Sequence, residues 1–295
     1  MPELPEVETT VKDLNKKIKG LRIQDIWTDW AKMVKSPKDF NTFKKEIVGE
    51  KIRKVERRGK NILFRLNSKT LLIHQKLTGH LLIGKWTLKN KEWKSNNGYL
   101  KEKVNQYIHL MFYLSGPAKG GANKMLGLSD LRKFGKVLVV DSKSLENLED
   151  IKNLGPEPLD KKFTFNKFKE VFKNKRGKIK QVLINQTVIA GIGNIYSDEI
   201  LFEAKIHPLK DTQKLKEDDL KRIYQAMKKI LRRAIVLRGD SMSNYRDTAG
   251  KKGRYQEVQK VYQREGEECH RCKNRIKRIK IGGRSAHFCP SCQKL

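Results

Sequence analysis

Two groups of residues have types and spacing that chemistry can use. The first is the start, MPELPEVE, where Pro2, Glu3, Pro5, Glu6 and Glu8 crowd together. Prolines and acids suit a helix's first turn, where an N–H is dispensable and the dipole favours negative charge. The same residues would also suit an active site built at the first residue of the chain. The second group is Cys269-x2-Cys272 and Cys289-x2-Cys292. Two close pairs can present four thiolates to one tetrahedral ion, which is the spacing of a structural zinc site. A unit of about 30 residues cannot hold together by its own core, so the metal would supply its folding energy. All four Cys lie from Cys269 onward, which argues against a general disulfide framework. His270 and His287 flank these cysteines, but four thiolates fill the site. Both histidines read as surface or DNA-facing residues. Between the pairs, RIKRIKIGGRSAHF alternates apolar residues around Gly282-Gly283, as a β-hairpin does. Arg284 follows that turn and could meet a phosphate.

The elements that position these groups show as changes of pattern. Pro5 to Ile18 reads as a helix, with Val7, Val11, Leu14 and Ile18 on one stripe. Then come short runs (LRIQDIW, NILFRL, TLLIHQ, HLLIGKW, YIHLMFYL, KVLVVD) that read as strands of a sandwich or barrel. Lys85 to Lys103 and Ser115 to Lys124 read as exposed basic loops. LGPEPLD, from Leu154 to Asp160, reads as a linker. Phe165 to Leu237 is helical in pattern, broken at AGIGN (190–194) by a Gly-rich bend of the helix-turn-helix kind. Arg238 to Tyr255 reads as a long loop, and long ordered loops are often functional. The expected division is 1–153, a linker 154–160, a helical domain 161–256 with the loop 238–256, and a finger 257–295.

Composition points to a polyanionic partner. Lys and Arg number 66 against 33 Asp and Glu, a formal net charge of +33. Such a charge repels itself unless an anion is near, and nucleic acid is favoured over a membrane surface. No run approaches the ~18 apolar residues of a spanning helix, and the start lacks the apolar core of a signal peptide. The expectation is an intracellular (cytoplasmic) monomer with a nucleic-acid partner.

Taken together, these pieces resemble the formamidopyrimidine-DNA glycosylase family, bifunctional enzymes that remove oxidised purines. The resemblance rests on PELPEVET, RRGKNILF (57–64), HQKLTG (74–79), SDLRKFG (129–135), LGPEPL, AGIGNIYSDE (190–199), VYQREGEEC (261–269) and GGRSAHFCPSCQ (282–293). It covers nearly the whole chain. It implies an α+β multidomain protein: a β-sandwich with one N-terminal helix, a helix-two-turns-helix domain and a four-Cys zinc-finger hairpin. It also implies one structural Zn2+ and, as partner, double-stranded DNA containing oxidised bases, held in a cleft between the halves.

The resemblance assigns roles residue by residue. Pro2, once Met1 is removed, is the nucleophile. Its α-amine titrates near ~8, so part of it is neutral at pH 7. Glu3 is the general acid that protonates the opening sugar. Glu6 orients the amine or a water, and Glu8 is left as a helix-dipole residue. Lys60 contacts the phosphate beside the lesion and assists β-elimination. Arg284 grips phosphates and is assigned to δ-elimination. His74, Asn105, Lys175, Lys180 and Asn194 match DNA contacts, and Glu199 braces the site or Pro2. Arg132 and Phe134 match two of the three side chains that fill the hole left by a flipped base. Leu77 stands where the third is usually Met. Asn105 stands where a His is expected, with His109 the other candidate. Asn185 replaces a usual Asp, and the basic stretch 85–103 is longer than usual. Two alternatives remain. One is an endonuclease-VIII-like glycosylase for oxidised pyrimidines, against which stand PELPE and the loop SNYRDTAGKKGRYQ. The other is a non-catalytic DNA-binding zinc protein on the same scaffold.

Overall fold

In the computed structural model, residues 1–115 and 124–295 are described. They form two compact units: 1–152 with 237–254, and 153–236 with 255–295.

The first unit opens with α1 (Leu4–Ile18), whose Val7, Val11, Leu14 and Ile18 are buried as their spacing demands. The strands are β1 (Arg22–Thr28), β2 (Val34–Ser36), β3 (Lys54–Arg58), β4 (Asn61–Arg65), β5 (Lys69–His74) and β6 (His80–Gly84). After them come β7 (Thr87–Lys89), β8 (Glu92–Lys94), β9 (Ile108–Ser115), β10 (Lys124–Ser129) and β11 (Lys136–Asp141). They build one sheet of order β1-β9-β10-β6 and another of order β2-β11-β5-β4-β3. Alternate residues of both sheets, such as Ile26, Phe112 and Leu126 from one and Phe64, Leu71 and Val137 from the other, share a single core with α1. That core makes the pair a sandwich. A short helix α2 (Phe40–Ile47) closes one edge of this core through Phe43 and Ile47. It is capped by Asp39, whose carboxylate accepts the Thr42 N–H at 2.6 Å.

The stretch 85–103 is not a solvated loop. It holds the β7–β8 hairpin and two short 3-10 turns. Trp86, Trp93 and Leu100 are buried against Leu82, Ile108, Met111 and Met125 on the outer face of the four-stranded sheet. That face is apolar and needs a cover, and the lysines of the segment leave the apolar residues free to supply it. The other expected loop, 115–124, falls largely outside the described residues. Its ends, Ser115 and Lys124, belong to β9 and β10.

Gln75 breaks the pattern of this unit. It is 1% exposed, and neither amide atom has a hydrogen-bond partner among the described residues. Replacing it by Leu removes two desolvated polar atoms at nearly constant volume. Gln75→Leu is expected to stabilise the unit by about 1–3 kcal/mol, read as a raised urea midpoint with an unchanged slope.

The second unit is helical, as the 3.6-residue pattern implies. After a single turn, α3 (Glu149–Lys152), at the end of the first unit, it contains α4 (Phe165–Lys173), α5 (Ile179–Ile184), α6 (Asn194–Ala204) and α7 (Glu217–Val236). α6 is its axis, with Tyr196 to Phe202 all buried. The bend between α5 and α6 is stapled by Gln186, whose amide donates to the Ile184 and Ile192 carbonyls at 2.7 Å and accepts the Gly191 N–H at 2.9 Å. Asn185 accepts the Thr187 N–H and hydroxyl at 3.0 and 2.9 Å, a turn that needs only an amide oxygen. The hairpin β12 (Lys277–Ile281) and β13 (Arg284–Phe288) is the last regular element. Gly282 and Gly283 have φ of +56° and +74°, the mirror-image turn that matches strand twist.

Candidate active site

In the first unit, the expected residues gather around the chain terminus. Pro2, Glu3, Glu6 and Lys60 are all buried. Met1, Leu77 and Phe134 line one cavity of ≈ 450 Å³ together with Lys35, Lys76, Lys133 and Gly135. Burial pulls the terminal ammonium below its ordinary pKa, and Lys60 pulls the same way against Glu3, Glu6 and Asp240. A neutral amine is therefore more accessible here than on a free terminus. The amine of the full chain belongs to Met1, and Pro2 nitrogen becomes an amine only when Met1 is gone.

Glu6 is held on both sides. Its carboxylate accepts the Glu3 N–H at 2.7 Å and the Asp240 N–H at 2.8 Å. The Tyr245 hydroxyl donates to its carbonyl at 3.2 Å. These bonds make Glu6 the joint between the chain start and the loop 237–254. Glu8 does more than favour a dipole, because it pairs with Arg57 at 2.9 Å beside the Lys60 turn. His74 sits next in the cluster. Burial, then the charges of Lys76 and Lys60, lower its pKa to about 4. Its neutral Nδ1 accepts the Lys76 N–H at 2.9 Å.

Leu77, Arg132 and Phe134 are presented outward. Leu77 and Phe134 are 40% and 50% exposed, which is unusual for large apolar side chains. The Arg132 guanidinium lies 4.6 Å from the Phe134 ring centroid. Asp130, buried and with no role expected from sequence, shapes their turn. Its carboxylate accepts the Thr78 hydroxyl and, at 2.6 Å, the Gly135 N–H. Thr78 in turn accepts the Arg132 N–H at 3.1 Å.

Asn105 is fully buried. It donates to the Tyr99 and Gly250 carbonyls at 2.8 and 3.2 Å and bonds His80 Nε2 at 2.8 Å. Its side-chain amide is thus fully engaged inside the unit. His109, the substitute candidate, is likewise engaged, with Asp29 at 2.9 Å.

In the second unit, Arg284 is exposed and Asn194 partly so, as an anion contact needs. Asn194 begins α6 after Gly193, and its side-chain oxygen has no hydrogen-bond partner among the described residues. Lys175 is half-buried and lines a surface cavity of ≈ 330 Å³ with Lys169, Lys173 and Thr212. Lys180 is 0% exposed and its ammonium pairs with Asp198. In so basic a chain the default for a lysine is the surface, and only the fold reveals its acid partner. His287 is not at the surface: it is 5% exposed, and its backbone N–H donates to the other Asp198 oxygen at 2.9 Å. Glu199 accepts three backbone N–H groups, from Lys260, Val261 and Tyr262, at 2.9–3.1 Å. Burial raises its pKa and those bonds oppose the rise. Glu199 thus braces the lead-in to the finger.

The four cysteine Sγ atoms lie within 4.8 Å of one another, at 3.9 Å for Cys269–Cys292 and 3.4 Å for Cys272–Cys289. Zinc–thiolate bonds of ~2.3 Å in a tetrahedron require about 3.8 Å between sulfurs. The donor set fits one structural Zn2+. Behind it, Phe202, Val261 and Ile276 form a small core with the cysteines.

Comparisons with known proteins agree with this layout. Residues 1–137 match the profile of the formamidopyrimidine-DNA glycosylase N-terminal domain, 154–246 that of the formamidopyrimidine-DNA glycosylase H2TH domain, and 266–295 a zinc finger found in FPG and IleRS. The formamidopyrimidine-DNA glycosylase of Pelotomaculum thermopropionicum is 37% identical over 296 residues, covering 100% of both chains. That of Listeria innocua is 37% identical over 295 residues at the same coverage. Among solved structures, the Lactococcus lactis Fpg in complex with DNA containing an abasic site aligns with a TM-score of 0.85 at 34% identity. It covers 99% of this chain and 100% of its own. A Lactococcus lactis variant bound to DNA containing Fapy-dG gives the same score and identity, with 100% of both chains covered. The chain belongs to the formamidopyrimidine-DNA glycosylase family.

Proposed function

We propose that this chain, acting as an intracellular monomer, excises oxidised purines from double-stranded DNA and then cleaves the abasic strand through Pro2. The observation that carries the proposal is the chain start, where buried Pro2 follows a terminal amine set among Glu3, Glu6, Lys60 and Asp240, with Met1 at a cavity lined by Leu77 and Phe134. With Met1 removed, the Pro2 lone pair attacks C1′ of the flipped nucleotide. The C1′–base bond breaks, and its electrons leave with the base, which takes up a proton. Glu3 protonates the sugar ring oxygen as the ring opens, leaving a C1′ iminium. A secondary amine gives an iminium that stays charged, and that charge draws electrons from the C2′–H bond as the C3′–O bond breaks. A second elimination breaks the C5′–O bond, and hydrolysis frees Pro2. Lys60 and Arg284 hold the departing phosphates. Leu77, Arg132 and Phe134 take the place of the extruded base.

The test is borohydride trapping on duplexes with one 8-oxoguanine opposite cytosine, or one thymine glycol. A covalent band on 8-oxoguanine, well above that on thymine glycol, is the expected result. Predominant thymine glycol trapping would move the chain to the pyrimidine enzymes. Tight binding with no band on either lesion or on an abasic site would leave only a binding protein.

A further inference from the structure

The loop 237–254 is strapped down at two ends. At one end it meets Glu6, through the Asp240 N–H and the Tyr245 hydroxyl. Gly239 is so close that a Cβ would lie 2.5 Å from the Glu6 carboxylate. At the other end it meets the segment Tyr99–Asn105. Arg246, 9% exposed in its side chain, donates from Nε to the Glu102 carboxylate at 3.1 Å. The same guanidinium donates to the Ser243 and Tyr245 carbonyls at 3.2 and 2.8 Å. Lys251 Nζ lies 4.8 Å from the Tyr99 ring centroid, and Asn105 donates to the Gly250 carbonyl. Between the two ends, Met242 and Ser243 stand exposed.

We infer that Tyr99, Glu102 and Asn105 form a clamp that fixes the loop 240–251 over the amino terminus, making Glu102 and Arg246 positioning residues for base excision. The inference rests on the function proposed above. The Glu6 contacts put the loop beside the amine, so a base drawn toward that amine meets the loop. A loop already ordered loses less entropy when it closes on a ligand, and errors on the order of 1 Å at such a site cost up to about 100-fold in rate. The Arg246–Glu102 bond fixes the backbone of Ser243 and Tyr245 as well, because one guanidinium serves all three acceptors. The clamp acts on the base and not on the amine itself. It therefore matters while a base is present and loses its effect once the base has gone.

The two steps can be measured separately. Glu102→Ala, Arg246→Ala and the double variant would be compared in single-turnover excision of 8-oxoguanine and in cleavage of a preformed abasic site. Each single variant should slow excision on the order of tenfold and leave abasic cleavage within about twofold. The double variant should be no slower than the worse single one, because both remove one contact. Amide hydrogen exchange of 243–251 without DNA should quicken in all three. Unchanged excision in an active enzyme, or excision and abasic cleavage falling together, would overturn the clamp. If the unsubstituted protein removes no damaged base, the functional reading fails instead. Exchange then still decides whether the clamp orders the loop, and unchanged exchange overturns it.

Discussion

Protein that keeps Met1 will form no borohydride-trapped adduct with damaged DNA, and the same chain beginning at Pro2 will. With Met1 in place, the Pro2 nitrogen is an amide whose lone pair is delocalised into the carbonyl. The Met1 amine does not substitute for it, because it lies one residue, about 3.8 Å, farther along the chain. Attack on C1′ does not tolerate such a displacement, since a misplacement on the order of 1 Å already costs up to about 100-fold. Met1 also lines the cavity that Leu77 and Phe134 share, and so occupies space a nucleotide would need. The expected loss of trapping is on the order of 10³-fold or more, as for removal of other covalent nucleophiles. DNA affinity and its salt slope should hardly change, because the phosphate contacts do not involve the amine. The burial that lowers the Met1 ammonium pKa is expected to act likewise on the Pro2 amine of the processed protein, so trapping should rise with pH through that amine's titration and then level off. Mass spectrometry of each preparation fixes which terminus is present. Equal trapping by both would shift the nucleophile to a side-chain amine, with buried Lys60 the first to examine.

What the sequence reveals and what it hides divide along physical lines. α1 was legible because Val7, Val11, Leu14 and Ile18 alternate with charges at helical spacing and bury on one face. The zinc site was legible because its geometry is carried by local spacing. β10, KMLGLS, was not, because Gly127 interrupts a short run. That glycine makes room for Ile108, whose side chain would lie 3.1 Å from a Cβ there. The segment 85–103 hid its role behind its lysines. Trp86, Trp93 and Leu100 only make sense once the outer face of a sheet is there to receive them. The acids that organise the candidate site were the least legible. Asp130, Asp198 and Asp240 act through backbone or side-chain groups that the fold supplies, and a partner 89 residues away, as for Asp198 and His287, leaves no local signature. Asn105 and Lys180 show the same limit of the sequence. Residue type fits a DNA contact, but their burial and internal partners are supplied by the fold.

Asp198→Ala is expected to be the most destabilising single change in the second unit. Asp198 and Lys180 are 0% and 1% exposed in their side chains. One Asp198 oxygen takes the Lys180 ammonium and the other takes the backbone N–H of His287, with the His287 ring nitrogen at 3.2 Å. This single carboxylate thus ties α5 to α6 and α6 to the finger hairpin. Removing it strips the buried ammonium of its carboxylate counter-charge, leaving it the Asn194 carbonyl at 3.5 Å, and takes away the acceptor of the buried His287 N–H. Breaking one side of such a buried pair costs about 3–5 kcal/mol, enough to unfold a marginal unit. The double variant Lys180→Met with Asp198→Leu removes both charges and should recover much of that loss, since burying a pair is itself expensive. Asp198→Asn keeps an acceptor for His287 and should lie between the two. Thermal melting, with zinc release to a chelator as a second readout, separates these cases. Zinc should leave faster in Asp198→Ala, because β13 carries His287 into the strand that leads directly to Cys289. A loss under about 1 kcal/mol for Asp198→Ala would mean that the Lys180 ammonium reaches solvent or another acceptor. The phosphate contact first expected of Lys180 would then return to consideration. A large loss, rescued in the double variant, fixes Lys180 as the internal partner of Asp198 and leaves the phosphates to Arg284 and Asn194.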